Sequence, residues 1–436
     1  MFCKFASDKS KDVQNFVMYS WGNIKTPRKR FMLRAIELFV FWYPAIMSVA
    51  WMVGGVMFYF CNERRKPLPL YETPMVSILV PCFNEAETVE NTVKQLSKLQ
   101  YPNYEIIAIN DGSSDNTSEV IKGLLDKYDR LRFIDLKENN GKANALYLGL
   151  LASKGEILMG VDSDAYIMPD ALNYIVPHFT NPYNGERVGA VTGNPRVRNR
   201  SSLLAKLQLC EYASIVSLIK RTQRIWGKVM TVSGVVVAFR KRALMDCQLW
   251  DRDMITEDIG VTWKLEKKFW DVRYEPNALC MMLVPETIKG LYKQRKRWTK
   301  GGMEILRRHY NIFGSWKTRR MIMVYVEQIV TIVWALCWLL MLIILLIGWF
   351  TFGEWMALPY IWKSLFLSTV CMIQFVVAMI LDSRYDKGLL KNGIIAIWYP
   401  FLYWYINALI VITTLPDLFR KKKKLATWDS PDRGLS

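Results

Sequence analysis

Two aspartates one residue apart, Asp162 and Asp164, follow a short apolar run in the segment VDSDAYIMPD (161–170). Residues two apart in extended backbone point to the same side, so the two carboxylates are expected to face one point. At about 5 Å and an effective dielectric near 20 they repel by roughly 3 kcal/mol, which a bound cation would relieve. Mg²⁺ is usually held by one or two protein carboxylates together with substrate phosphates. The alternative is a turn in which Asp164 or Asp170 caps the next helix.

Other polar clusters have side chains suited to a nucleotide. Asp111, in NDGSSD, can accept a hydrogen bond from a base N–H, and the neighbouring Gly112 lets backbone approach a ligand. Lys142, in NNGKANAL, follows a glycine at a predicted helix start and is suited to phosphate. Asn84 and Glu85 of PCFNE occupy a similar position. Local roles stay open for each of them: an Asx turn for the loop residues and a solvated side chain for the lysine.

Two later motifs add further acids and cations. MITEDIGVTWKL has Glu257 and Asp258 at a predicted helix start, where exposed amides and the helix dipole favour carboxylates. The chain has only two histidines, so a carboxylate is the expected general base. QRKRW (294–298) combines a guanidinium fork suited to diphosphate with an indole face suited to a sugar ring. The surrounding KQRKRWTK run would also form a basic amphipathic helix on a membrane surface.

An alternating strand and helix pattern carries the first of these motifs. Strands are predicted at 76–83, 105–109, 131–136 and 156–161, with helices at 88–99, after NDGSSDNT and at 142–153. PCFNE, NDGSSD and DSD each follow a strand. Ligands of doubly wound sheets bind beyond the carboxyl ends of the strands. The pattern therefore predicts a doubly wound α/β domain with its site at that edge.

Long uncharged stretches lie on both sides of this domain. They cover 38–60, 328–353, 364–381 and 392–416, and each is near the roughly 20 residues that span a bilayer. We expect a basic segment at 1–30, a membrane helix within 31–62 and a catalytic domain at 70–310 with interfacial helices at its C-terminal end. A membrane region of about three hydrophobic segments is expected at 321–419, and a basic tail at 420–436.

The net charge of +19 is concentrated beside the uncharged stretches. This distribution is typical of cytosolic membrane flanks and contact with anionic lipid, and it argues against nucleic-acid binding. The eight cysteines have no CxxC pair, so neither a disulfide framework nor a zinc site is predicted. One N-terminal and three C-terminal spans would leave both basic termini opposite a cytosolic domain, against the positive-inside tendency.

NDGSSD, DSD, TED and QRKRW occur together in the order typical of processive family-2 glycosyltransferases, which include cellulose, chitin and hyaluronan synthases. The chain resembles that family from about Phe31 to Gly434. Within it, VTGNPRVRNRS, EYASIVSLIKRTQR, TVSGVVVAFR, MITEDI and SPDRG are similar to the poly-β-1,6-N-acetylglucosamine synthases. The resemblance implies a GT-A (Rossmann-like) α/β catalytic domain on the cytosolic side, joined to transmembrane α-helices in a bacterial inner membrane.

The resemblance also implies roles for individual residues. Asp258, beside Glu257, would deprotonate the acceptor hydroxyl, and Asp164 with Asp162 would hold Mg²⁺ or Mn²⁺. The expected UDP-sugar contacts are Pro81, Asn84, Glu85, Asp111, Lys142, Asp162 and Arg297, and the expected acceptor contacts are Gln294, Trp298, Ser233 and Gly234.

The implied reaction is an inverting transfer from UDP-N-acetylglucosamine to the C6 hydroxyl of a growing poly-N-acetylglucosamine chain, which is moved across the membrane for a biofilm matrix. Synthases of this family work with a small membrane accessory subunit, and in some relatives the complex responds to cyclic di-GMP. The rings of IWYPFLYWY (397–405) would line the polymer path or, more ordinarily, pack in the core or the interface. Synthesis of hyaluronan, chitin or cellulose is one alternative. An inactive scaffold is another, although none of the four motifs is missing.

Overall fold

The computed structural model describes residues 27–352 and 358–418. Most of the expected basic segment 1–30 lies outside the described residues, as does the basic tail with its SPDRG sequence. The strands are β1 (Val76–Cys82), β2 (Tyr104–Asp111), β3 (Leu131–Leu136), β4 (Ile157–Val161), β5 (Tyr166–Ile167), β6 (Val188–Val197), β7 (Val236–Arg240) and β8 (Asp271–Met282).

Helices surround the sheet and continue into the apolar stretches. They are α1 (Pro27–Phe58), α2 (Val89–Leu96), α3 (Thr117–Leu125), α4 (Lys142–Ala152), α5 (Ala171–Thr180), α6 (Leu203–Glu211), α7 (Leu218–Trp226), α8 (Lys241–Asp246), α9 (Glu257–Lys267), α10 (Ile288–Arg308), α11 (Ile322–Phe352), α12 (Leu358–Asp382) and α13 (Tyr399–Thr414). Short π-helical turns extend α1 (Tyr59–Glu63) and join α6 to α7 (Tyr212–Ser217), and 3₁₀ segments occur at Gly185–Arg187, Tyr310–Gly314, Trp316–Met321, Leu390–Trp398 and Leu415–Leu418.

The described strands form one mixed sheet in the order β3-β2-β1-β4-β7-β6-β8-β5. β1 pairs in parallel with β2 and β4, and β2 pairs in parallel with β3. β7 is antiparallel to β4 and β6, while β6 and β8 are parallel. The four predicted strands and the α/β fold class are confirmed. The second half of the sheet, with its antiparallel β7, was not predicted.

The central strands are apolar because both of their faces are covered. β1 is buried along its whole length, as expected for a strand in the middle of a parallel sheet. Its alternating side chains enter two cores, with Ile78 on the face covered by α2, α3 and α5, and Leu79 on the face covered by α4 and α9. This parallel register brings the carboxyl ends of β1, β2 and β4 to one edge of the sheet.

Three helices among the described residues are long and apolar enough to cross a membrane, within Phe31–Glu63, Trp316–Phe350 and Trp362–Asp382. Two of them end in a buried ion network with the α/β domain. Arg221 of α7 lies 2.5 Å from the carboxylate of Glu63 and 2.7 Å from that of Asp382. The α/β domain is therefore joined to the same end of both helices.

The last apolar segment, called here the C-terminal hairpin (390–417), is bent by 59° between its two helical arms. Its first arm begins at the α/β domain, where the thiol of Cys210 donates to the carbonyl of Asn392 at 3.5 Å. Its second arm ends near the same domain, where Lys296 of α10 lies 3.4 Å from Asp417. Both ends of the hairpin thus contact helices α6 and α10.

Candidate active site

The acid pair of the DSD motif lies in a turn and not in a strand. β4 ends directly before Asp162, and the N–H of Ala165 donates to the Asp162 carbonyl at 3.0 Å. The predicted extended geometry is therefore wrong, because the sheet offers no partner beyond the end of β4. Burial raises the pKa of the nearby Cys280 thiol, and the negative charges of Asp162 and Asp164 raise it further. Asp170 occupies the N-cap of α5, but its side chain makes no capping hydrogen bond.

Lys142, the first residue of α4, connects the DSD turn to the TED motif. Its Nζ lies 2.6 Å from Asp162 Oδ1 and 3.1 Å from Glu257 Oε1, and its side chain is 14% exposed. The solvated-lysine alternative is therefore wrong. Burial lowers the pKa of Lys142, but the carboxylates of Asp162, Glu257 and Asp258 outweigh burial and raise it above its usual range. The lysine consequently carries its charge between three acids.

Asp258 follows Glu257 at the start of α9. Burial and the neighbouring Glu257 raise the pKa of Asp258 to about 6, although Lys142, the Ile259 amide and Arg297 each lower it. The Ile259 N–H donates to Asp258 Oδ1 at 2.9 Å. A carboxylate of this kind is ionised at neutral pH and is more basic than an ordinary aspartate, which suits a general base.

The TVSG loop (231–234) passes beside these acids. A Cβ atom at Gly234 would lie 3.4 Å from Asp258 Oδ2 and 3.4 Å from Lys142 Nζ. The N–H of Ser233 donates to Thr192 Oγ1 at 2.9 Å, which anchors the loop to β6. Gly234, one of the predicted acceptor-side residues, therefore lies against the predicted base.

Asp111 ends β2 with its side chain fully buried. Its two oxygens accept the N–H groups of Asn140 at 3.1 Å and Gly141 at 2.8 Å, so it orders the loop that leads into α4. Gly112 has a φ of +68°, and a Cβ there would lie 2.5 Å from the backbone carbon of Glu138. Glycine is required at this position because the backbone is left-handed and the neighbouring chain is in contact.

The PCFNE motif joins the ends of β1 and β2. Asn84 has a φ of +56°, a conformation that asparagine tolerates, and its Oδ1 accepts the Ser114 N–H of the NDGSSD loop at 2.8 Å. Glu85 is buried and accepts the Thr88 hydroxyl at 2.6 Å. Pro81 is buried within β1. These residues hold the loops at the carboxyl edge in place.

The QRKRW motif lies on α10, whose side chains there have different surroundings. Arg295 is buried and pairs with Glu211 at 2.8 Å, and its guanidinium lies 4.1 Å from the centre of the Trp298 ring. Arg297 is exposed, and its positive charge lowers the pKa of Asp258. The Oε1 atom of Gln294 is buried and has no hydrogen-bond partner among the described residues.

Similarity to known proteins follows the same motifs. A model of the "Glycosyltransferase like family 2" matches residues 74–301. The chain is 45% identical over 408 residues to a poly-β-1,6-N-acetyl-D-glucosamine synthase of Staphylococcus epidermidis, covering 91% of this chain and 98% of the relative. It is 44% identical over 414 residues to the synthase of that name from Staphylococcus aureus strain COL, with the same coverage. The chain belongs to glycosyltransferase family 2.

A solved structure shares the fold of this family-2 glycosyltransferase. It is a mannosyltransferase from Pyrobaculum calidifontis, in complex with GDP-Man and Mn²⁺, with 18% identity and a TM-score of 0.51. The match covers 86% of this chain and 98% of the mannosyltransferase. The predicted GT-A fold and the predicted resemblance to this family are confirmed.

Sequence reasoning missed two buried charges of this glycosyltransferase. Glu211 and Lys220 both lie in EYASIVSLIKRTQR, which was read only for its resemblance. Glu211 pairs with Arg295, and the ammonium of Lys220 donates to the Ser233 hydroxyl. Glu211 is the only charge between Lys206 and Lys220, and such an isolated charge is a usable signal, because an uncompensated charge is costly to bury and implies a partner.

Proposed function

We propose that this glycosyltransferase polymerises N-acetylglucosamine from UDP-N-acetylglucosamine into a β-1,6-linked chain. The observation that carries the proposal is the position of Lys142 at the carboxyl edge of the sheet, within hydrogen-bond distance of Asp162 and Glu257 and with Asp258 acting on its charge. The choice of polymer is supported by the name of the Staphylococcus relatives.

In the proposed reaction Asp258 is the general base. Its carboxylate accepts the proton of the C6 hydroxyl on the terminal sugar, and that oxygen forms a bond to the anomeric carbon of the donor. The bond from this carbon to the diphosphate breaks on the opposite face, and UDP leaves with the bonding electrons, so the configuration inverts. Holding both sugars in line supplies much of the acceleration. Glu257 keeps Asp258 basic through its negative charge.

Cations around the base suit the leaving diphosphate. Lys142 is fixed by two carboxylates, and Arg297 on α10 is exposed toward solvent beside the acids. Fixed positive charges lower the energy of negative charge that develops on a leaving group. On the acceptor side, the partnerless oxygen of Gln294 and the indole of Trp298 are suited to sugar hydroxyls and to a sugar face. Ser233 and Gly234 complete this side.

The DSD turn fits a divalent cation that is shared with the substrate. Asp162 and Asp164 lie one residue apart in the turn that follows β4. No group of three or more acidic, histidine or cysteine side chains among the described residues could hold a metal alone. Two carboxylates suit Mg²⁺ or Mn²⁺, whose remaining ligands would be phosphate oxygens and water. The cation would supply charge stabilisation to UDP.

The nucleoside is proposed to bind at the ends of β1 and β2. Asp111 lies at this edge and orders its loop by accepting the N–H groups of Asn140 and Gly141, and a carboxylate is an acceptor of the kind that the uracil N–H requires. Pro81, Asn84 and Glu85 shape the same edge. The carboxyl edge of a parallel sheet is the usual ligand position in such folds.

The membrane arrangement is proposed from the two ends of the C-terminal hairpin. Its arms are a 9-residue 3₁₀ helix and the 16-residue α13, which are about 18 Å and about 24 Å long. Neither arm alone reaches across the roughly 30 Å hydrocarbon core, and both ends of the hairpin contact helices of the same domain. Three helices therefore span the inner membrane, the catalytic domain is cytosolic, and the hairpin enters and leaves on the cytosolic side. The basic tail then obeys the positive-inside tendency.

Reporter fusions test this arrangement. A cytosolic reporter fused after Leu425 is expected to be active, and an external reporter there to be silent. A fusion after Lys25 is expected to give the opposite pattern. An external signal at Leu425 would mean that the hairpin is a full span.

A small membrane accessory subunit and control by cyclic di-GMP complete the proposal, and both rest on family resemblance alone. Co-purification of the tagged chain from its own membranes tests the subunit. Polymer yield with and without added cyclic di-GMP tests the control.

The central experiment supplies purified full-length protein with one radiolabelled UDP-sugar at a time. Polymer is expected only from UDP-N-acetylglucosamine, and methylation analysis is expected to give 6-substituted residues. A 3- or 4-linked product would assign a hyaluronan, chitin or cellulose type of synthesis instead. Asp258→Asn should abolish polymer while UDP affinity is retained. Full polymer yield from that variant would refute the base role.

A further inference from the structure

A buried lysine stands behind the TVSG loop on the side away from Lys142. Lys220 of α7 is 6% exposed, and its ammonium donates to the hydroxyl of Ser233. Two other contacts hold the same loop. The Ser233 N–H donates to Thr192 Oγ1 at 2.9 Å, and the Val232 N–H donates to Thr262 Oγ1 at 3.1 Å. The hydrogen bond from Lys220 is thus a third contact that holds the loop. Of the three side chains that make these contacts, only Lys220 carries a charge.

The loop connects the contact between Lys220 and Ser233 to the proposed base, Asp258. Gly234 directly follows Ser233, and a Cβ at Gly234 would lie 3.4 Å from Asp258 Oδ2 and from Lys142 Nζ. Thr262 also accepts from the loop and donates to the Asp258 carbonyl at 2.6 Å. A displacement of the loop by a few tenths of an ångström would therefore alter the position of both charged groups.

Lys220 also has an electrostatic relation to the base. Burial lowers the pKa of Lys220 to about 7, and the carboxylate of Asp258 opposes that effect. Among the described residues, the charges with the largest effect on the pKa of Asp258 are Glu257 on its own helix, Lys142 on α4 and Arg297 on α10. Lys220 on α7 is a further charged group on which the Asp258 carboxylate acts.

The remaining cations of α7 face other partners. Arg221 pairs with Glu63 and Asp382 in the network at the membrane helices. Arg224 pairs with Asp271 at 2.8 Å. Lys220 is therefore the side chain of this helix that is directed to the TVSG loop and the base.

We propose that Lys220 is a positioning residue for sugar transfer, which holds the TVSG loop through Ser233 and supplies a positive charge to the Asp258 carboxylate. The proposal rests on the proposed function of Asp258 as the base. An apolar side chain would fill the same buried space without a desolvation cost. The charge at this depth is therefore explained by what it does to Asp258 and the loop.

The test compares pH–rate profiles of full-length Lys220→Met, Lys220→Arg and the native protein. UDP release from UDP-N-acetylglucosamine is followed from about pH 5 to about pH 9, a range that contains the pKa values of both Asp258 and Lys220. In Lys220→Met, loss of the positive charge raises the pKa of Asp258, so the acidic limb is expected to move up by about 0.5 to 1 pH unit. Lys220→Arg keeps the charge, and its limb is expected to stay at the native position.

Two further variants separate the components of the proposal. Ser233→Ala removes the hydrogen bond from Lys220 and keeps the lysine's charge. It should therefore lower the transfer rate at every pH without moving the acidic limb of the profile. Lys268→Met, at the opposite end of α9 from Asp258, removes a half-exposed lysine and should leave the profile native. UDP affinity within about twofold of native shows that each variant is folded, since about 0.4 kcal/mol corresponds to that factor.

The outcomes are distinct from those of the base hypothesis. An acidic limb of Lys220→Met at the native pH would overturn the inference, as would an equal loss of rate at all pH values. If Asp258→Asn kept the acidic limb, the base role itself would fail. If Asp258→Asn were inactive and Lys220→Met kept the native profile, only the inference about Lys220 would fail.

Discussion

Lys142 Nζ and Asp162 Oδ1 lie 2.6 Å apart, and this ion pair joins the first turn of α4 to the turn that follows β4. The same ammonium reaches Glu257 at 3.1 Å, so one lysine links three chain segments that are far apart in sequence. Removing either partner would leave a partly buried charge without compensation, which is costly. The lysine therefore fixes the geometry of the acids as well as their charge.

Lys142→Met is expected to weaken UDP-N-acetylglucosamine binding by at least about tenfold, because a charge-assisted hydrogen bond contributes about 1.5 to 3 kcal/mol. Calorimetric titration with the UDP-sugar measures the effect. Lys122→Met is the matched control, since that lysine is 56% exposed and forms a surface ion pair with Asp135 at 3.1 Å. Equal affinities of the two variants would contradict the role of Lys142.

The transfer rate is expected to fall as pH drops through about 6. The pKa of Asp258 is raised to about 6 by burial and by Glu257, and the protonated acid cannot accept the acceptor proton. Glu257→Gln removes the negative neighbour, so the acidic limb should move to lower pH. A limb near pH 4 in the native protein would show that Asp258 titrates as an ordinary aspartate.

Asp164→Ala is expected to weaken UDP binding in the presence of Mg²⁺ and to change it little in the presence of a chelator. The reason is that this carboxylate is proposed to act through the shared cation. The measurement is UDP affinity over a Mg²⁺ titration. Asp170→Ala is the control, because Asp170 makes no capping hydrogen bond at the start of α5. An unchanged Mg²⁺ dependence in Asp164→Ala would remove it from the metal site.

Arg295→Met is expected to lower the thermal stability of the detergent-solubilised protein. Glu211 would be left buried without its partner, and such a loss costs about 3 to 5 kcal/mol. Glu211→Gln in the same chain removes the stranded charge and should recover part of the loss. A double-mutant cycle of melting temperatures measures the coupling. Additive effects of the two substitutions would contradict a direct ion pair.

The hairpin illustrates how far sequence reasoning reaches. Its apolar composition predicts a membrane segment, and the uncharged stretch 392–416 exceeds the roughly 20 residues that a full span needs. The structure bends it by 59° between its two arms, and Lys296 lies 3.4 Å from Asp417 at its end. Composition does not encode such a bend, so one continuous span is what the residues alone predict. The rings of Tyr399 and Tyr403 are buried and stacked 4.4 Å apart, as in ordinary core packing.

The sequence by itself determined the parallel strands from Val76 to Val161, the order of the four motifs and the family, because these depend on local periodicity and on short residue patterns. Tertiary structure alone decided that Lys142 meets Asp162 and Glu257, and that Lys220 reaches the TVSG loop. Those contacts join segments on different elements, and their distances depend on strand order and helix packing. No local pattern carries that information, since it arises only when separate elements share one core.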